Sequence, residues 1–170
     1  MTRAALQLLI ALASLGFMSG CYEGPAPALL SDQTTEAAMA MAQSYHTQAD
    51  IAVENNDLQS AANAMTELIE ALERTSKRQD EVADLVMDAS GRLSRILSEE
   101  GKLDEALEAV ESGLERGGER SKTSLFAGYL WQSRGDILRQ QGDDRGAVES
   151  HRAAIVIFKR LLDQKPSQKP

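Results

Sequence analysis

Three short breaks of one kind divide this chain, and their recurrence constrains the fold more than any other feature. They read Glu-Asn-Asn-Asp-Leu at 54–58, Glu-Glu-Gly-Lys-Leu at 99–103 and Gln-Gln-Gly-Asp-Asp at 140–144. In each, Asn56, Gly101 or Gly142 stands where a helix C-terminus takes left-handed backbone, and five residues later comes Ala61, Ala106 or Ala147. On both sides of the breaks apolar residues recur at steps of three and four, the period of a helix with one buried face. Leu58, Ala61, Ala62, Met65, Leu68, Ile69 and Leu72 form one such face, and Val82, Leu85, Val86, Ala89, Leu93, Ile96 and Leu97 another. Leu103, Ala106, Leu107, Val110 and Leu114 predict a third, Val148, His151, Ala154, Ile155, Phe158, Leu161 and Leu162 a fourth, and the aromatic-rich stretch 125–138 a fifth. An alanine-rich helix over 35–54 completes the set, with Ala38, Ala42, Tyr45, Ala49 and Ala52 inward. No stretch alternates as a strand would. The fold class is therefore all-α, about three antiparallel helix pairs, either stacked as a short solenoid or closed into a plain six-helix bundle.

The repeated unit resembles the tetratricopeptide repeat (TPR) family. The last copy carries the resemblance best: Trp131, Gly135, Leu138, Gly142, Ala147 and Ala154 take the family's spaced aromatic, small, large, turn-glycine and alanine positions. The middle copy keeps Leu93, Leu97, Gly101, Ala106 and Gly113, and the first keeps Tyr45, Ala49, Asn56 and Ala61. Turn-to-turn spacings of 45 and 41 residues exceed the family's usual 34, and no copy ends in the family's proline, so longer helices are expected. The resemblance implies a TPR-like right-handed solenoid over residues 33–163, whose first helices line a concave groove for a protein partner. The groove positions it implies are Gln43, His46, Asp50 and Glu54, then Asp88, Arg95 and Glu99, then Tyr129, Gln132, Asp136, Arg139 and Gln140. Among these Arg95 and Arg139 suit acidic side chains and Tyr129 an aromatic contact. Each is also what a solvated helix face shows.

The N-terminus has its own signature. Arg3 precedes an apolar run over 4–18, shorter than the roughly 20 residues that span a bilayer, and the run ends in Met18-Ser19-Gly20-Cys21 with the chain's one cysteine. This is similar to a bacterial lipoprotein signal, and the resemblance implies cleavage after residue 20 and acylation of Cys21. Residues 21–32, with Pro25 and Pro27, then form a tether, and 164–170 a frayed polar tail. Tyr22 is not the aspartate that marks inner-membrane retention in that family. The expected location is therefore the outer membrane, lipid-anchored and facing the periplasm, with the membrane reached through the N-terminal lipid.

Without residues 1–20 the chain has 17 basic and 26 acidic residues, a formal charge of −9, which argues against nucleic acid and against a headgroup-binding patch. No nucleophile elbow, phosphate loop, metalloprotease helix or Cys-x-x-Cys occurs, so no enzyme and no cofactor is expected. His46, Asp50 and Glu54 share a helix face but lack further ligands for a metal. His151 reads as a packing histidine, Trp131 as a core anchor, and Asp104, Glu105, Glu108, Glu111 and Glu115 as a solvated face. The expected function is an adaptor or scaffold holding protein partners in the cell envelope, pilotin-like by analogy. The alternative is a structural envelope component or accessory subunit of a cell-wall enzyme. A homo-oligomer through an exposed stack end is a variant.

Overall fold

The computed structural model describes the backbone of residues 27–75 and 80–164. The signal-like segment, Cys21, the first part of the expected tether and the tail from 165 lie outside the described residues. Six α-helices and one 3-10 helix follow in order: α1 (Pro27–Glu54), α2 (Leu58–Thr75), α3 (Asp80–Glu99), α4 (Leu103–Arg116), the 3-10 helix (Gly118–Lys122), α5 (Leu125–Gln141) and α6 (Asp144–Asp163). There is no strand among the described residues, and no described helix is long and apolar enough to cross a membrane.

The three breaks are one structure built three times. Asn56, Gly101 and Gly142 have φ of 57°, 77° and 87°, the left-handed region reserved for glycine and, next best, asparagine. The following amide reaches back to close the helix: Asp57 N–H to Ala52 C=O at 2.8 Å, Lys102 to Leu97 at 2.9 Å, Asp143 to Leu138 at 2.8 Å. Asp57 and Asp143 then cap the next helix by accepting from the Ser60 and Gly146 amides at 3.0 and 2.9 Å. Ala61, Ala106 and Ala147 are buried where each helix pair crosses.

Packing runs from neighbour to neighbour. Within the pairs α1 packs on α2, α3 on α4 and α5 on α6, while α2 and α4 each pack on the first helix of the next pair and α1, α3 and α5 form a second row. Among the described residues no helix of the first pair packs closely on one of the third, the arrangement of a solenoid and not of a closed bundle. Met65, Leu68, Leu72, Met87, Val110, Leu130 and Ile137 are fully buried along this axis. The last pair closes tightly: a Cβ on Gly135 would lie 2.7 Å from the His151 ring and one on Gly128 2.4 Å from Phe158. His151 is thus a packing residue against α5, with Nε2 3.8 Å from the Asp136 carboxylate.

Four expectations change. α1 begins at Pro27, inside the segment read as a tether and eight residues before the expected helix start. Proline is accommodated there because the first helical residue needs neither its N–H nor a free φ. The 3-10 helix was not foreseen. It is held by Asp84 of α3, which accepts from the Arg120 guanidinium and, at 2.6 Å, from the Ser124 hydroxyl, and Ser124 in turn caps α5. Trp131 sits at the core's margin, only partly buried, with the Arg134 guanidinium 5.8 Å over its ring. Finally, the apolar face expected on α6 is only half used: Ala154 is buried and His151, Phe158 and Leu161 are partly so, but Val148, Ile155 and Leu162 face outward, while Ile157, outside the expected face, is buried.

Candidate partner-binding groove

A groove of about 730 Å³ opens between α3 and α5. Its walls exist because both helices present long polar side chains outward and small ones at the floor: Gly91, Ser94 and Ser98 on α3, Ser133 on α5. Phe126, Leu130 and Ile137 give it an apolar base, and Tyr129, half exposed, stands at the rim with its ring 5.6 Å from Phe158.

Eight of the twelve groove positions implied by the repeat resemblance line this space together: Asp88, Arg95, Glu99, Tyr129, Gln132, Asp136, Arg139 and Gln140. The four on α1 lie elsewhere. His46 and Asp50 are engaged across the seam between α1 and α3, His46 Nε2 3.5 Å from Asp88 Oδ2 and Asp50 Oδ1 accepting from Arg92 Nη1 at 2.9 Å. Gln43 and Glu54 are exposed and outside the groove. The set passed over Arg92, although it lies four residues after Asp88 and three before Arg95 on the same helix face. Phe126 was missed as well; only its place one turn before Tyr129 and Leu130 signals it.

The charges in the groove are unevenly satisfied. Arg92 is held by Asp50, and Arg139 lies 3.9 Å from Asp136. Arg95 and Glu99, both exposed, have no ion pair among the described residues. An arginine fork facing a groove with an aromatic rim can take a carboxylate in bidentate fashion, where the neighbouring apolar base excludes water. His46 behaves differently. Burial, and then the Arg92 charge beside it, hold its imidazole below the usual histidine value against the opposing pull of Asp88 and Asp50. Its Nε2 is buried without a hydrogen bond, because the approach to Asp88 is close but not aligned for one. These are packing chemistry at a seam.

On the side formed by the second helices a smaller space of about 450 Å³ runs between α2 and α4, crossed at one end by the Arg116–Glu73 pair at 2.7 Å. The acidic residues of α4 are exposed as expected; Glu111 accepts twice from Arg134, at 3.1 and 2.9 Å, and Asp104 from Gln141.

No curated protein matches this chain. The description of the tetratricopeptide repeat-like domain matches residues 26–164, the whole set of helices. Three turns of one backbone form, neighbour-to-neighbour packing and a match over most of its length together place the chain in the tetratricopeptide repeat-like domain family.

Proposed function

We propose that this protein is a lipid-anchored adaptor of the bacterial envelope: acylated at Cys21, held at the outer membrane facing the periplasm, and gripping a protein partner in the α3–α5 groove. Domains of this family are generally non-catalytic interaction modules, which supports a binding role. The observation that carries the choice of surface is Arg95, an unpaired cation among the described residues on the wall of an open groove with an apolar base. The address rests on the Met18-Ser19-Gly20-Cys21 segment and its resemblance to a lipoprotein signal. The partner is a helix or extended segment bearing an acidic side chain, its contact centred on a few anchors in the groove.

The test is photo-crosslinking of the full chain in its native envelope, with the crosslinker placed at Tyr129 in the groove or at exposed Thr66 in the space between α2 and α4. Capture of one defined partner from Tyr129 and not from Thr66, lost with Cys21→Ala, is the expected result. Equal capture from both positions would remove the groove, and capture indifferent to Cys21→Ala would remove the anchor.

A further inference from the structure

The three turns put the helix pairs in register, and the register shows what each end of the stack lacks. Aligned on Asn56, Gly101 and Gly142, the residues Ile51, Ile96 and Ile137 occupy one position on the first helix of each pair. In the second and third pairs that isoleucine is 7% and 2% exposed, covered by the preceding pair; in the first it is 53% exposed. Ser44 repeats the pattern, exposed where its equivalents Ala89 and Leu130 are fully buried. The other end mirrors this. Ile69, Leu114 and Ile155 share a position on the second helices, covered by the following pair at Ile69, which is 6% exposed, and bare at Ile155, 49% exposed. Ala62, Leu107 and Val148 behave alike, with Val148 bare.

We infer that this chain associates head to tail with a second copy, the outer face of α6 on one copy packing on the outer face of α1 on the next. Each end carries one half of the junction already formed twice inside the molecule, so the contact continues an interface the sequence has built. The charges agree. Inside the stack Arg134 of α5 binds Glu111 of α4 at 2.9 Å. The equivalent positions across the proposed contact are Arg152 and the partner's Gln48, which can hydrogen-bond without like charge. A symmetric α6-to-α6 contact would instead bring Arg152 of one copy beside Lys159 of the other, and neither has an ion pair among the described residues. A head-to-tail contact does not close on itself after two copies, so short arrays that grow with concentration follow. This inference is independent of the groove.

Sedimentation velocity of the full chain in detergent, over a range of concentrations, tests it with Ile51→Glu and Ile155→Glu. Both side chains are exposed in the single copy, so helicity and melting stay at the parent's level. The parent's mass should rise with concentration, each variant alone should remain monomeric, and an equimolar mixture of the two should form a one-to-one dimer and stop. That mixture has one intact α6 face and one intact α1 face. A parent monomeric at every concentration overturns the inference. So does association of either variant alone, which would signify a symmetric contact or a different surface.

Discussion

Alanine in place of glycine should change stability in opposite directions at two positions 22 residues apart in this chain, one on α3 and one on α4. In the interior of a helix the substitution contributes about 0.5–1 kcal/mol from reduced backbone freedom alone. At Gly91 a Cβ would meet only Leu130 Cδ2, at 3.6 Å, an ordinary contact that adds burial. At Gly113 it would lie 2.6 Å from Ser90 Cβ, 2.8 Å from Ser90 Oγ and 3.2 Å from Leu130 Cδ1. Ser90 Cβ is fixed to the α3 backbone and is itself buried, so relief requires α3 and α4 to part by about 1 Å to reach a normal carbon separation. Overpacking of that kind costs about 1–3 kcal/mol and outweighs the helical gain. Gly91→Ala should therefore raise, and Gly113→Ala lower, the melting temperature by about 2–5 °C each, read by circular dichroism with urea midpoints as a check. Ser90→Gly should relieve the Gly113→Ala variant by more than it changes the parent, a coupling visible in the double-mutant cycle. If Gly113→Ala melts as high as Gly91→Ala, the close approach of α3 and α4 is not real and the reasoning fails.

The lowered imidazole of His46 makes the seam between α1 and α3 sensitive to acid. A folded-state value below the unfolded one means that its contribution is present above about pH 6.5 and is lost as pH falls through the lowered value. Urea midpoints measured from pH 7 to pH 5 should fall more steeply for the parent than for His46→Gln; parallel curves would refute this. In the groove, Arg95→Glu with Arg139→Glu should leave helicity and melting nearly unchanged, since both side chains are exposed, while abolishing partner capture from Tyr129. Undiminished capture by the double variant would exclude that wall.

The helices and turns were legible because each is specified locally, by apolar period and by a residue tolerant of positive φ. What the sequence hid depends on neighbours distant in the chain. The 3-10 helix has no periodic pattern of its own and forms because Asp84, 36 residues before Arg120, gathers Arg120 and Ser124. The outward turn of Val148, Ile155 and Leu162 could not be read from their spacing, which is that of a buried face; whether such a face is covered depends on what packs against it, and among the described residues these three stay exposed. For the groove, eight of the positions implied by the repeat resemblance line one space on α3 and α5, whereas of the four on α1, His46 and Asp50 meet partners across the seam with α3.

That difference between α1 and α3 has a source in the register. At the seam between α1 and α3, His46 and Asp50 face Asp88 and Arg92. One repeat later the same positions are Gly91 and Arg95 on α3, facing Tyr129 and Ser133 on α5. Glycine in place of histidine removes the side chain that fills the first seam, and serine in place of arginine leaves Arg95, at the position of Asp50, facing a hydroxyl and no counter-charge at the position of Arg92. The open groove is thus the first seam with its pairing withdrawn. Ser133→Asp should restore the pairing, giving Arg95 a carboxylate across the groove much as Arg92 has Asp50 at 2.9 Å. An exposed pair of this kind contributes about 0–1 kcal/mol, so melting should rise slightly or not at all. Partner capture from Tyr129 should fall, because the partner's acidic group must now displace an internal one while facing added negative charge. If Ser133→Asp binds as well as the parent, Arg95 is not the residue that the partner's carboxylate reads.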